Sequence, residues 1–406
     1  MPANISDINA SMGFTQASTL MNSLVSQLTG KTALAATSTA EFVAQAQTVL
    51  KSGTDPLLNA LSQTLSKTIF SVRPYNAKFL GLQRDATQWG NHVRKINFGS
   101  DGVENIDMYD LTNGQSVDQQ IVKKPDIMQT NFYSTNAYQN HYTIFDDALN
   151  LALSSPEEFM RFISGITTEV SNKLEQYRET QARLALCNLI GGTINLGRVR
   201  HLLTEYATLM GYTTTSGGST VPDTSQILST YIDGFTKWLF AELRVLSDRF
   251  TERSLEYQSN VAGHDIYRHT PKEMQRLYIY SPFLAQIDAR VISAVFNPSY
   301  LNLGQKEEVS YWQSIQTPDT VQVTPSQIAV TASGANPAGR YVKGNAVNAK
   351  VLGILMDYEA AGTTQMGESM KPAPYNARGR YTTIWYNCQF RAWNDNTEKA
   401  VVLCLD

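Results

Sequence analysis

The most constraining feature of the sequence is a long run of helical apolar spacing that follows a clear start signal. Ser155 can cap a helix, Pro156 suits the first helical position, and Glu158 completes a capping box. Apolar residues then recur three or four positions apart along one face, with an interruption at Gln181: Phe159, Ile163, Ile166, Val170, Leu174, Tyr177 and Leu184. The glycine pair 191–192 is expected to end the helix. A helix over 156–190 would be about three times the mean length, so we expect a spine across which other elements pack.

The end of the chain has the pattern of a β-hairpin. Apolar residues alternate over 384–392, which predicts a strand with one buried face. Residues 394–397 have turn chemistry, because Asn and Asp bond their own backbone. Residues 400–405 form a continuous apolar run, which suits a strand covered on both faces. A generic hairpin that only completes a sheet stays open as an alternative.

A long two-stranded excursion is predicted over residues 89–142, with extended pieces on either side of a polar tip at 112–118. An isolated hairpin of this kind is marginal in water, and its free edges would promote aggregation. Both problems vanish if another subunit lies beneath it. The alternative is an ordinary antiparallel sheet inside one domain.

The N-terminal segment and the second half of the chain differ in composition and pattern. Residues 1–55 are poor in charge and in bulky apolar side chains, so we expect an arm that orders against a partner and holds a helix over 40–50. A tail of no consequence is the alternative. Helical and strand patterns alternate from residue 226 onward, which predicts a compact α+β domain and includes a helix over 226–251.

Composition excludes several functions. Only 17% of the residues are charged and the net charge is −3, so the basic footprint of a dedicated nucleic-acid binder is missing. This polar, uncharged surface suits a protein that is mostly covered by neighbours. Three widely spaced cysteines argue against a disulfide framework and fit a reducing compartment. We expect no membrane span and no secretory signal.

Candidate catalytic groups are weak. The five histidines lack zinc-site spacing, and phosphate-binding loops and nucleophile elbows are missing. The adjacent carboxylates Asp146 and Asp147 could hold a cation or act as acid and base, but such residues more often favour a helix N-terminus. We therefore predict no catalytic residue, no metal and no cofactor, and a protein that is not an enzyme. A hydrolase with an unrecognised site is kept as a rival.

The order of these parts resembles the major capsid protein of tailed double-stranded DNA bacteriophages, which has the Hong Kong 97-type fold. Residues 141–149 and 155–159 resemble the junction between E-loop and spine helix in small podovirus head proteins. Residues 376–385 and 394–402 resemble the C-terminal ending of those proteins. The resemblance implies an α+β fold with an N-terminal arm, an E-loop, a peripheral (P) domain with the spine helix, and an axial (A) domain.

The resemblance also implies domain boundaries. They are an N-terminal arm at 1–55, the P-domain start at 56–88, the E-loop at 89–142, the P-domain at 143–225 with spine helix 156–190, the A-domain at 226–350, and a C-terminal return to the P-domain at 351–406.

The function implied is structural. Many copies would form pentamers and hexamers of an icosahedral or prolate head around double-stranded DNA, which is held without sequence specificity. A separate scaffolding protein and a portal protein are the implied partners, with assembly in the host bacterial cytoplasm. An encapsulin-like nanocompartment and a tail or portal component remain rival hypotheses. The charged residues predicted to contact neighbouring subunits are Arg94, Lys95, Lys123, Lys124, Asp146, Asp147, Arg378 and Arg391.

Overall fold

The computed structural model describes most of the chain from residue 136 onward and shorter parts before it. The described residues are 18, 21–22, 25, 38–51, 78–84, 93–98, 112–115, 127–132, 136–146, 156–216, 219–260, 266–285, 305–329 and 340–406. Most of the predicted arm and the cap residue Ser155 lie outside them.

Four helices and sixteen strands are named within these residues. The helices are α1 (Thr39–Lys51), α2 (Pro156–Asn195), α3 (Leu202–Met210) and α4 (Ile232–Thr251). The strands are β1 (Gln83–Arg84), β2 (Val93–Phe98), β3 (Ile127–Phe132), β4 (Asn136–Phe145), β5 (Val199–His201), β6 (Thr213–Ser216), β7 (Ser219–Pro222), β8 (Gln275–Tyr280), β9 (Gln305–Val309), β10 (Thr320–Val323), β11 (Ser326–Ala329), β12 (Arg340–Lys343), β13 (Val347–Asp357), β14 (Ala361–Pro372), β15 (Tyr381–Asn394) and β16 (Ala400–Cys404).

The predicted spine helix is confirmed as α2, which is longer than expected and runs through the glycine pair to Asn195. The prediction that these glycines end the helix is wrong. A Cβ at Gly191 would lie 2.5 Å from Val323 Cγ1, and one at Gly192 would lie 3.2 Å from the amide of Asn396. The two glycines therefore let neighbouring segments approach the helix closely. The helix ends near Gly197, whose φ of 72° is left-handed.

A four-stranded sheet in the order β1-β14-β15-β4 lies across the middle of α2. Strand β15 keeps the predicted alternation, and its apolar face packs against Val170 and Leu174 of the helix. The buried residues of that face are Ile384, Tyr386, Cys388 and Phe390. This pattern confirms that one face of the strand is buried against the spine.

The second sheet has the order β5-β16-β13-β8-β9, and β10 also pairs with β13. Its two faces are both covered. Leu352, Val401 and Leu403 pack on one face with the apolar sides of α3 and α4. Ile354 and Val402 pack on the other face with the C-terminal half of α2. Strand β16 is therefore covered on both faces, as its continuous apolar run predicts.

The predicted C-terminal hairpin is wrong in its pairing. Strand β15 pairs with β14 and β4, whereas β16 pairs with β13 and β5 in the other sheet. Residues 394–399 thus cross from one sheet to the other. The hairpin that forms is β14–β15, and its connection contains the loop residues Pro374 and Gly379.

The remaining elements agree in part with the predictions. Helix α1 matches the predicted helix over 40–50. Helix α4 matches the one over 226–251 except at its start, where residues 225–230 form turns. The six-stranded sheet joins strands of the predicted A-domain with β16, so the boundary at residue 350 stays a prediction. No helix in the described part of the chain is long and apolar enough to cross a membrane.

Candidate assembly site

Strands β2 and β3 form a two-stranded ribbon inside the predicted E-loop. Their register runs antiparallel from Val93 opposite Phe132 to Phe98 opposite Ile127. In the described part of the chain the two strands pair with no other strand. The predicted strand pair therefore forms over these residues, and its role as an E-loop stays a prediction. Residues 136–142, which the predicted excursion included, belong instead to β4, which pairs with β15 in the four-stranded sheet.

The two faces of the ribbon differ. Lys95, Asn97 and Phe132 share one face by register, and Asn97 and Phe132 are buried. Ile96 and Ile127 lie on the opposite face, and they are 46% and 61% exposed. The ribbon therefore rests on its own subunit by one face and leaves apolar side chains on the other.

The inner face of the ribbon meets the segment that crosses between the two sheets, residues 394–399, here named the C-terminal junction. Residues 394–397 of this segment were predicted to have turn chemistry, and all six residues of the segment are buried. Asp395 holds its shape, since Asp395 Oδ1 accepts hydrogen bonds from the backbone N–H of Thr397 at 2.9 Å and from its hydroxyl at 2.7 Å. Asn394 Oδ1 accepts a further bond from Asn188 Nδ2 of α2 at 2.7 Å.

Lys95 joins the ribbon to the junction through its ammonium group. Its Nζ lies 3.0 Å from Asp395 Oδ2 and 3.2 Å from Glu359 Oε2, and it donates a hydrogen bond to Glu398. Burial alone would lower the pKa of Lys95, but the carboxylates of Asp395 and Glu398 outweigh this effect and raise it. The ammonium is therefore held in its charged form by residues of its own chain.

A second cation closes this group. Arg268 Nη2 lies 3.1 Å from Glu398 Oε1 and donates to Asn97 Oδ1 at 2.7 Å. Burial raises the pKa of Glu398, and the charges of Lys95 and Arg268 offset only part of that rise. The four side chains form a closed ring, Lys95–Glu398–Arg268–Asn97, which begins and ends on β2.

Lys399 anchors the other end of the junction to α4. Its Nζ donates to the carbonyl oxygen of Glu252 at 2.6 Å and to Ser254 Oγ at 3.0 Å. It also lies 3.3 Å and 3.4 Å from the carbonyl oxygens of Arg249 and Phe250. These carbonyls belong to the last turn of α4 and the residues after it, so the ammonium caps the helix C-terminus.

A separate pair of carboxylates holds the chain where it enters the four-stranded sheet. Glu307 accepts a hydrogen bond from the backbone N–H of Phe79, and Glu179 of α2 accepts one from the backbone N–H of Lys78 at 3.3 Å. Phe79 is buried with a φ of 64°, an uncommon conformation for a bulky residue. Burial raises the pKa of Glu307. Glu179, Glu307, Glu398 and Lys399 were all missed by the sequence analysis, because each acts on a residue far away in the chain.

The charged residues predicted to contact neighbouring subunits lie in different parts of the structure. Lys95 is turned toward its own subunit, as described above. Arg94 lies opposite Asn131 in the ribbon. Asp146 accepts a hydrogen bond from Tyr375 in the β14–β15 connection at 2.6 Å. The same connection carries Arg378, which is exposed.

Arg391 requires a correction. Its side chain is 1% exposed, so in this conformation the guanidinium has no surface to offer a neighbour. Lys123, Lys124 and Asp147 lie outside the described residues. The contacts of the other seven predicted residues with neighbouring subunits stay predictions.

Possible metal ligands and the three cysteines are the groups that bear on reactive chemistry. Within the described residues, no three His, Cys, Asp or Glu side chains are grouped so that they could hold a metal ion. The three cysteines are free and buried. Burial raises the pKa of Cys187 and of Cys404 to about 12, which keeps both thiols protonated and weakly nucleophilic at neutral pH.

Two solved structures share this fold over most of their length. One, titled as the structure of head fiber and inner core protein gp22 of native bacteriophage P68, has a TM-score of 0.51 and 9% identity, over 82% of this chain and 86% of that chain. The other, the capsid structure of Staphylococcus phage Andhra, has a TM-score of 0.52 and 10% identity, over 82% and 85%. At such low identity the likeness shows the fold alone, which is the expected Hong Kong 97-type α+β fold.

Sequence comparison gives a more specific result. No curated protein sequence matches the chain. The family model described as Phi29-like phage major capsid protein, however, matches residues 17–403. Because this match spans nearly the whole chain, the protein belongs to the Phi29-like phage major capsid protein family.

Proposed function

We propose that many copies of this chain assemble as pentamers and hexamers into a closed icosahedral or prolate phage head that encloses packaged double-stranded DNA. Membership in a major capsid protein family supports this proposal. Closed symmetry limits the growth of such an assembly, so that one kind of subunit can build a shell of defined size. The net charge of −3 suits a lining that does not trap DNA.

The observation that carries the proposal is the ribbon. Two paired strands alone are marginal in water, and this pair shows two large apolar side chains, Ile96 and Ile127, on its outer face. A neighbouring subunit in a larger assembly can cover them. Each Å² of apolar area removed from water in this way stabilises the assembly by about 25 cal/mol. We infer that the outer face of the ribbon packs on a neighbouring copy.

Several partners follow from this role. A separate scaffolding protein guides assembly, and a portal protein occupies one vertex of the head. Assembly takes place in the host bacterial cytoplasm, and the product is part of the virion. The protein has no catalytic role in this proposal, which is supported by the structural character of its family. Rival hypotheses of a nanocompartment, a tail or portal component, or a hydrolase have no observation in their favour.

Electron microscopy of the chain expressed together with the neighbouring genes of its phage tests the proposal. We expect closed shells that hold portal and DNA when the packaging proteins are present. Small rings or monomers under the same conditions would contradict a shell, and measurable substrate turnover would contradict a purely structural role.

A pair of variants tests the ribbon itself. Replacing Ile96 and Ile127 together with Ser should abolish shells while the unfolding of the unassembled subunit stays unchanged, because both side chains are already exposed. The matched control is Ile315→Ser, which changes a side chain that is 77% exposed outside the ribbon. We expect the control to form shells. Normal shells from the double variant would refute the contact.

A further inference from the structure

The ribbon is attached to its subunit in an unusual way. Strands β2 and β3 pair with each other and, in the described part of the chain, with no strand of either large sheet. Backbone pairing would fix the direction of a strand rigidly, whereas here side chains on one face carry the contact with the body. The angle at which the ribbon leaves the subunit therefore depends on those side chains.

Two of these side chains form polar anchors at different points along β2. Lys95 and Asn97 are two residues apart, so they point to the same face and lie about 6–7 Å apart along the strand. Lys95 binds the carboxylates of the C-terminal junction, and Asn97 accepts from Arg268. Two separated anchors fix the direction of the ribbon, whereas the ribbon could rotate about a single anchor.

The anchors are coupled through Glu398, which contacts both Lys95 and Arg268. Asp395 is completely buried, and the ammonium of Lys95 lies 3.0 Å from its Oδ2. Loss of the ammonium would leave this carboxylate buried without that partner, which is costly in a protein interior. The subunit can then relax by admitting water, and the ribbon must move to let water in.

We propose that Lys95 is a positioning residue that sets the exit angle of the E-loop ribbon through the ring Lys95–Glu398–Arg268–Asn97. The inference rests on the proposed function, in which the outer face of the ribbon packs on a neighbouring copy. Because the ring joins side chains and no backbone ladder, the ribbon can be released without unfolding either large sheet. Lys95 thus acts on assembly through the direction of the ribbon.

Hydrogen exchange on the full-length chain, separated by sedimentation into unassembled subunits and assembled particles, tests this role. In unassembled Lys95→Met we expect the amides of β2 and β3 to exchange roughly tenfold faster or more, while those of β13 and β16 keep their protection. Lys95→Arg keeps the charge and should restore slow exchange. The control Lys306→Met removes an exposed lysine that pairs with Glu308, and it should change neither region.

A distance measurement reports the angle directly. The three native cysteines are buried, so spin labels can be placed at Gln129→Cys, an exposed position in β3, and at Thr214→Cys in β6. With Lys95 present, we expect one narrow distance distribution between the labels. With Lys95→Met, the distribution should broaden or shift, and Lys95→Arg should return it.

The outcomes separate this inference from the proposed function. Unchanged ribbon exchange and an unchanged label distance in Lys95→Met would overturn it, as would equal acceleration of β13 and β2, which would indicate only a loss of global stability. Should Lys95→Met fail to fold, Asn97→Ala opens the same ring more mildly, and unchanged ribbon exchange in that variant would overturn the inference equally. Shell formation by the unaltered chain is scored independently and decides the proposed function alone.

Discussion

Replacement of Lys399 by Met is expected to destabilise the subunit strongly, although the two side chains have similar volume. Lys399 is fully buried and donates to the Glu252 carbonyl at 2.6 Å and to Ser254 Oγ at 3.0 Å. Hydrogen bonds from a charged group contribute about 1.5–3 kcal/mol each, so two of them contribute about 3–6 kcal/mol. Part of this is regained because Met no longer buries an ammonium. We expect a net loss of about 3 kcal/mol in the free energy of unfolding.

Urea unfolding of the unassembled subunit, followed by far-UV circular dichroism, measures this loss. The matched control is Lys272→Met, because Lys272 also contacts α4 but does so through an exposed ion pair with Asp248, at 2.7 Å. An exposed pair of this kind contributes about 0–1 kcal/mol. If the two variants unfold within about 0.5 kcal/mol of each other, Lys399 does not cap the helix, and the role assigned to the C-terminal junction is wrong.

Two further predictions concern the sheet and the junction. Gly353→Ala places a Cβ 2.7 Å from a backbone carbonyl oxygen of β8, so it should cost about 1–3 kcal/mol in urea unfolding, whereas Gly367→Ala, with open space around it, should be neutral or slightly stabilising. Equal effects of the two substitutions would contradict the close approach. Burial alone would raise the pKa of Asp395, but Lys95 and the bonds from Thr397 lower it below its ordinary value of 3.8. The carboxylate therefore stabilises the fold above that value, and its contribution disappears as the pH falls through the lower, folded-state pKa. Asp395→Asn should be less stable than the unaltered chain at neutral pH and should lose less stability on acidification; parallel pH profiles of unfolding free energy would refute this.

Local patterns predicted the faces of the main elements well. The start signal at Pro156 and the apolar spacing after it gave the spine helix, and the alternation over 384–392 gave the buried face of β15. Such signals depend on which side of an element avoids water, and that information lies within a few neighbouring residues. The continuous apolar run of β16 worked for the same reason, because both of its faces are covered.

Strand pairing and the end of the spine helix were predicted less well, because both depend on residues far away in the chain. Glycine pairs often end helices, but the pair in α2 instead leaves room for the side chains of Val323 and Asn396, which lie against the helix there. Strands β15 and β16 are close in sequence with turn residues between them, which favours a hairpin. Their partners β14 and β13 lie earlier in the chain and belong to different sheets. Local composition carries no information on that choice.

The C-terminal junction shows why a polar segment can lie at the centre of this fold. A chain that leaves one sheet for another has backbone groups that no ladder satisfies, and burial leaves them without water. Asp395 and Thr397 satisfy part of that need within the junction, and Asn394 receives a bond from the spine helix. Glu398 and Lys399 carry the remaining charges, and their partners lie outside the segment. Glu398 pairs with Lys95 of the ribbon and with Arg268, and Lys399 donates to a carbonyl oxygen at the end of α4. A segment with turn composition thus becomes the contact between the ribbon and the two large sheets of the subunit.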